Sequence, residues 1–496
     1  MSVWRRKPIN QLLAETKEDK HRLGKNLGVF DLTTLGIGAI IGTGIFVLTG
    51  VAAARYAGPA ILISFVVSGL AAGFAALVYA ELASMVPVAG SAYTYSYVSM
   101  GELIAWVIGW DLILEYTVAA GAVAIGWGSY VIDFLRAVGL SLPHAITAGP
   151  VARGVVNLPA VLVVAVIVIV VLRGSRETAS VNRFVVLVKL AAIALFIAVA
   201  LPRVQPSLWK PFAPLGWAGI MRGAAVIFFA YIGFDAVSTA AEETRRPQRD
   251  LPLGIVLSLG VSTALYLIVA SLLTGIVPYT SLNTASPVAA ALLAVGVRWA
   301  SAMVSVGAIA GLTSVLLVNV YAQSRIFFAM ARDGLLPPVL ATVSQGRRAP
   351  YKATLLTGAA VALIGGLLPI EVVAELANIG TLGAFILVSA GVIALRHLRP
   401  DLQRPFRTPW VPVLPGLAIL FSFYLMLSLP RLTWIRFFVW LVTGFVIYFA
   451  YGRHHSRLAS PVTAQEARKT GLAQRPEPEE PEAEEPGRLG QRQRLR

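Results

Sequence analysis

The sequence predicts an all-α polytopic membrane protein of twelve spans: two inverted repeats of five helices, with helices 1 and 6 broken, and two further C-terminal helices. Three observations carry this. The 496 residues are 57% hydrophobic and only 13% charged, with a mean hydropathy of +0.74, where a soluble domain has about 25% charged residues. Twelve apolar runs are long enough to approach the ~20 residues that a bilayer crossing needs. Two of those runs, five helices apart, are interrupted by glycine.

The runs cover roughly 30–51, 60–86, 102–130, 157–173, 183–201, 217–240, 252–277, 300–328, 352–369, 373–396, 411–429 and 434–451. Before them, residues 1–29 are polar and basic. They lack the apolar stretch and small-residue cleavage site of a signal peptide and read as a cytoplasmic tail. After them, residues 455–496 are rich in Pro, Glu and Arg and read as a disordered cytoplasmic tail. If the N-terminus is inside, the inner loops carry about twice as many Lys and Arg as the outer ones, and the positive-inside rule places both termini in the cytoplasm. The same rule accounts for the net charge of +16, so nucleic acid is not expected as a partner. With no cysteine, disulfides and Cys-based metal sites are excluded. The five histidines lie outside the deep apolar runs, so no metal site is expected.

The first span contains "GIGAIIGTGIF", Gly36 to Phe46. A glycine in a helix interior costs ~1 kcal/mol relative to alanine. The sixth contains "VIFFAYIGFDAVSTAAEET", with Gly233 and Asp235 in an apolar setting. Residues 30–201 then form a first repeat of five helices and 217–396 a second, leaving 411–451 for helices 11 and 12. An odd number of helices per repeat forces opposite topologies, and paired interruptions in such repeats point to a transporter's binding site. The glycines are expected to let the helix unwind where it lines a cavity. The competing reading is that small residues of the GxxxG kind pack helices together.

An unwound first helix offers defined chemistry. The half-helix that restarts at Gly42, Thr43 and Gly44 presents unpaired N–H groups and a positive dipole end, which suit a carboxylate. The carbonyls freed near Ile40, and between Phe229 and Ile232, accept from an ammonium. Donors for a carboxylate beside acceptors for an amine match an α-amino acid zwitterion.

With these motifs, "YAELASMVPVAGSAYTYSY" (79–97), "GFDAVSTAAEETRRPQRDLPLGI" (233–255) and "RIFFAMARDGLLP" (325–337), the chain resembles the amino acid–polyamine–organocation superfamily. Within it, the chain is similar to bacterial members of the cationic amino acid transporter family, over about 30–450. The resemblance implies a LeuT-type core and amino acid transport coupled to protons, in many bacterial members for neutral substrates. Position by position, it implies that Thr43 and Gly44 hold the carboxylate. Ile40, Phe229 and Ile232 receive the amine, with Phe229 as the gating aromatic. Lys189 stands in place of a sodium ion, beside carbonyls near Gly38 and Ile41, and Glu115 is the third-helix acid of bacterial members.

Buried charge is costly, ~2.5–3.5 kcal/mol near the membrane centre, and functional by default. Glu115 lies about 14 residues into the third helix, with Asp111 one turn earlier on the same face. Lys189 either snorkels to the cytoplasmic interface or is buried, where a desolvated lysine exchanges protons more readily; Glu115 is then the nearest group to share that proton. Asp235 reads as a helix cap or packing residue. Asn319 reads as lining the side-chain pocket or bonding across helices, and Tyr231 and Tyr321 as packing residues.

The expected function is proton-coupled uptake of mainly neutral amino acids across the cell membrane, with cationic amino acids as the alternative. A non-transporting amino acid sensor would share the same binding residues. The expected partners are the amino acid and the lipid bilayer. No cofactor beyond the coupling proton is expected, and a small accessory membrane subunit has no signature in the chain. No nucleophile, base or metal cluster points to an enzyme, and no phosphate-binding loop to an ATP-driven pump.

Overall fold

The computed structural model describes residues 27–457 apart from 87–90, 138, 174, 242–243, 285 and 344–349. Nearly all of both tails lies outside the described residues. Among the described residues there is no strand, only two isolated bridges, Leu27 to Thr244 and Thr147 to Asn157.

Each apolar run becomes helix. The first is α1 (Val29–Ile40), a π-helical turn at Gly44–Leu48, α2 (Thr49–Ala52) and a second π turn at Ala53–Ala57. There follow α3 (Ile61–Met85), the short α4 (Ser91–Ser99), α5 (Glu102–Ala137), α6 (Leu158–Arg173) and α7 (Ser175–Ala200). The sixth run is α8 (Gly216–Ile227), a 3-10 turn at Phe228–Tyr231 and α9 (Ala236–Thr239). Then come α10 (Pro247–Ile276), α11 (Pro287–Ala294), α12 (Arg298–Arg332), α13 (Tyr351–Leu367), α14 (Ile370–Leu398), α15 (Val413–Leu427), α16 (Arg431–Ile447) and α17 (Arg453–His455).

By length and composition eight of these segments can cross a membrane. Four more, Val29–Ile40, Leu158–Arg173, Tyr351–Leu367 and Val413–Leu427, are shorter apolar helices. Several helices outrun the apolar stretches that predict them. α7 begins at Ser175, eight residues before the expected 183. α10 begins at Pro247, a residue suited to a first helical turn.

The interrupted sixth segment, Gly216–Ser238, is 89% buried along its apolar window, against 22% for Arg431–His455. The broken helix is therefore central and the last helix peripheral. α16 is fastened to α5 by aromatic contacts. Trp110 and Trp440 stack at 4.4 Å, and each indole N–H donates to the other's backbone carbonyl, at 2.8 and 3.1 Å. On α3, buried Glu81 accepts a bidentate pair from Arg396 at 3.0 and 2.7 Å and the N–H of Thr408 at 2.8 Å. These bonds fix the segment between α14 and α15 against α3.

Candidate functional site

The two interruptions meet. In the first, Ile41 leaves the helix (φ −78°, ψ 102°), its N–H still bonded to the carbonyl of Ile37. In the second, Ile232 is extended and Gly233 has φ +111°, a conformation that favours glycine. A side chain at Gly233 would press on Ala39 at 3.0 Å, and one at Gly44 would overlap Ala230. Each broken helix thus offers a glycine to the other. None of Gly36, Gly38, Gly42 and Gly44 has a positive φ. Their absent side chains make room, Gly36 for Ser258 and Val237, Gly38 for Asn182 and Val186, Gly42 for Val315. All four meet a close neighbour, and the helix itself is interrupted at Ile41 and Gly42.

Between the breaks lies a small cavity, about 250 Å³ of empty space with its open side included, lined by Ala39, Ile40, Gly42, Thr43, Gly44, Ala119, Val123, Phe229, Ile232, Val315 and Asn319. All seven residues expected at a substrate site from the sequence, Ile40, Gly42, Thr43, Gly44, Phe229, Ile232 and Asn319, therefore share one wall-to-wall space. The N–H groups of Gly42, Thr43 and Gly44 make no backbone hydrogen bond among the described residues. The Thr43 hydroxyl is buried without a partner. These donors belong to three residues that line the cavity, and no acidic or basic side chain is among the lining residues.

The acceptor side is partly occupied. The Phe229 carbonyl receives the Ile232 N–H at 3.3 Å. The Ile40 carbonyl receives the hydroxyl of Tyr266 at 2.8 Å, which also lies 2.7 Å from the carbonyl of Ala230. One hydroxyl on α10 thus ties the ends of both broken helices. The sequence carried a signal for it: a lone tyrosine in the apolar run of α10. Ala39, Ala119, Val123 and Val315, also outside the expected set, carried none, since small apolar residues recur throughout the spans.

Lys189 does not snorkel. It is fully buried, and its ammonium donates to the carbonyls of Gly38 at 2.7 Å and Ile41 at 2.8 Å and to the Ser314 hydroxyl at 3.0 Å. The expected contact with the unwound first helix is present, with Ser314 of α12 added.

Glu115 stands elsewhere. Its charged neighbours are Asp235 and Asp111, with Thr381 of α14 beside it, and no hydrogen bond joins it to Lys189 among the described residues. The expected sharing of one proton between Lys189 and Glu115 is not supported by these contacts. Asp235 opens α9 without a side-chain cap and accepts instead from the Tyr116 hydroxyl. Tyr231 bonds the Phe65 carbonyl at 2.8 Å and packs on Tyr266, and Tyr321 carries the Arg325 guanidinium on its ring; neither lines the cavity. No group of His, Asp and Glu suited to a metal ion occurs among the described residues.

The family model described as amino acid permease matches residues 27–451, through both broken helices and the cavity. The chain belongs to the amino acid permease family, within the amino acid–polyamine–organocation superfamily. It is 51% identical over 462 residues to a branched-chain amino acid permease of Bacillus subtilis (strain 168), covering 92% of this chain and 99% of that one. It is 47% identical over 459 residues to the methylthioribose transporter of the same organism, with the same coverage of both chains. A vacuolar cationic amino acid transporter 4 of Arabidopsis thaliana is 37% identical over 409 residues, 81% of this chain and 68% of that protein. The protein is a multi-pass membrane permease of a transporter family, not an enzyme.

Proposed function

We propose that this permease takes up neutral L-amino acids by alternating access, driven by protons. In this reading it spans the cell membrane twelve times as two inverted five-helix repeats plus two helices, with both termini in the cytoplasm. The observation that carries the substrate class is the wall of unused donors at Gly42, Thr43 and Gly44, opposite backbone carbonyls of the sixth helix. Such a site holds a carboxylate and an ammonium at a fixed spacing and ignores the side chain between them.

Side-chain choice then rests on Ala119, Val123, Val315, Ile232 and Asn319, four apolar residues and one amide. The cationic alternative needs an acid within the pocket. Glu115 is the nearest one that the sequence offered, and it is absent from the lining, which favours neutral substrates. Two relatives of near-equal identity carry names of unlike substrates, branched-chain amino acids and methylthioribose, so the pocket and not overall identity has to decide.

Lys189 stands in this reading where a sodium ion would sit, and Glu115 is a buried acid available for the coupling proton. Uptake of labelled leucine into proteoliposomes tests the whole reading, with an inward pH gradient and no sodium. Leucine, isoleucine, arginine, leucine methyl ester and methylthioribose serve as competitors. Neutral amino acids should compete and the ester should not; equal competition by the ester removes the zwitterion site. Gly44→Val should abolish binding, because its side chain would overlap Ala230 and force the two broken helices apart. Binding without uptake would identify a sensor instead.

A further inference from the structure

Among the described residues, one buried side chain has neither of its polar atoms paired. Gln323 of α12 is 0% exposed, and both its Oε1 and its Nε2 lack a hydrogen-bond partner. Every other interior side chain with an unmet polar group leaves a single atom unmet. A primary amide withdrawn from water without partners is costly, and the packing around Gln323 returns nothing for that cost.

Position relates this amide to the substrate. α12 stacks Gln323 one turn beyond Asn319 on the same face, about 6 Å farther along the axis. Asn319 lines the substrate cavity. α5 runs antiparallel to α12. At one end Trp127 donates to the Thr313 hydroxyl at 2.9 Å, and at the other a Cβ on Gly109 would stand 2.8 Å from the Met330 side chain. This register puts Ala119 and Val123, the cavity residues of α5, near the level of Val315 and Asn319, and Gln323 near the level of Tyr116 and Thr117. Gln323 therefore lies past the cavity towards Arg325 and Arg332, the side that the positive-inside rule gives to the cytoplasm.

A small apolar cluster stands on this side of the cavity. Ala39 of α1 and Ala236 of α9 pack with Val318 of α12, with Leu35 against them. Ala39 lies just before the break at Ile41, and Ala236 follows the break at Gly233. Two of the three contacts thus come from the helices that the breaks interrupt.

We propose that Gln323 is a transient binding residue on the cytoplasmic leg of the transport route, a polar station that the amino acid meets after it leaves the cavity. This rests on the alternating-access reading above and adds a second station to it. A primary amide carries both an acceptor and donors. Oε1 takes the ammonium of the substrate and Nε2 its carboxylate, so one side chain offers the two polarities that the cavity offers through backbone. While Ala39, Ala236 and Val318 are packed together, the amide is dry and unpaired. When they part, water and substrate supply its partners. The cost carried by the shut form is then removed, so the same amide favours opening.

The test uses the full-length protein, which has no cysteine, so a single introduced thiol reports accessibility without background. Asp401→Cys, on the exposed segment between α14 and α15, marks the cytoplasmic face. Right-side-out and inside-out membrane vesicles are treated with a membrane-impermeant thiosulfonate during leucine exchange. Gln323→Cys should react from the face that labels Asp401→Cys and not from the other. Gln323→Leu, of similar volume, should bind leucine as the wild type does and unfold at a higher temperature in detergent, because an unmet amide has been removed. Its exchange should be slower by about fivefold, the worth of one net hydrogen bond, and Gln323→Asn should recover part of that rate. A thiol at position 323 that reacts from neither face while the variant still exchanges leucine would overturn the proposal, as would one that reacts from the face opposite to Asp401. Gln323→Leu that exchanges at the wild-type rate, or unfolds at a lower temperature, overturns it too, and these two measurements decide if Gln323→Cys does not fold. Wild-type protein that binds leucine without exchanging it refutes the alternating-access reading itself.

Discussion

Lys189 and the Asp111–Glu115–Asp235 group are both buried charge-bearing places in the membrane interior, and they are built in opposite ways. Around Lys189 every donor has an oxygen at 2.7–3.0 Å, drawn from the first broken helix and from α12. Around the three acids, Tyr116 donates to Asp235 and Thr381 stands beside Glu115, while one oxygen each of Asp111 and Glu115 has no partner. Burial alone does not separate them, since both are close to fully inaccessible. What separates them is satisfaction. A charge whose bonds are all met is held in place, while a buried carboxyl oxygen without a partner bears the cost of its desolvation.

Substitutions can break this contrast. Lys189→Ala should have the largest effect, because it turns the satisfied site into an unsatisfied one. The carbonyl of Ile41 loses this donor, at about 1–3 kcal/mol, and that of Gly38 keeps only the Ser314 hydroxyl at 3.2 Å. Thermal unfolding in detergent should show a lowered midpoint, and substrate binding should be lost; normal accumulation by this variant would show that the ammonium holds nothing essential. Tyr116→Phe acts on the other side by removing the donor from Asp235. A loss of roughly 1–3 kcal/mol is expected, with the pH profile of uptake shifted while leucine exchange persists. An unmoved profile would detach Asp235 from the group.

Tyr266→Phe sharpens the comparison at the cavity itself. Its hydroxyl spans the carbonyls of Ile40 and Ala230, so its removal should cost about 1 kcal/mol of stability and raise KM more than it lowers kcat. The smallest effect on stability is expected from Asn319→Met, which exchanges the cavity's amide for a longer apolar side chain. It should narrow the competition profile towards small side chains, and an unchanged profile would remove Asn319 from the specificity pocket.

The site was legible to the extent that it is made of backbone. Glycines and a breaker within apolar runs mark where helices stop, and a stopped helix must expose N–H and C=O groups wherever it lies. That is why Ile40, Gly42, Thr43, Gly44, Phe229 and Ile232 were all identified and all line the cavity. Asn319 was identifiable as an amide among aliphatics. Ala39, Ala119, Val123 and Val315 were not, because nothing local distinguishes a small apolar residue that faces a cavity from one that faces a helix or lipid.

Hydropathy, the twelve apolar runs and the paired interruptions were properties of the sequence by itself. They follow from local rules: apolar length sets a crossing, and glycine within such a length weakens it. The neighbours of each buried charge were not local properties. Lys189, Glu115, Asp111 and Asp235 all read from the sequence as isolated costs. Only the tertiary packing gave Lys189 its three oxygens and Asp235 the Tyr116 hydroxyl, because the partners come from helices more than 100 residues apart. The same holds for the four glycines of the first helix. Their spacing marks a break, but whether they bend the chain or admit a neighbour depends on what stands opposite. Here that is Ser258, Asn182, Val315 and Ala230, and close approach, not backbone freedom, is the reason for glycine at each.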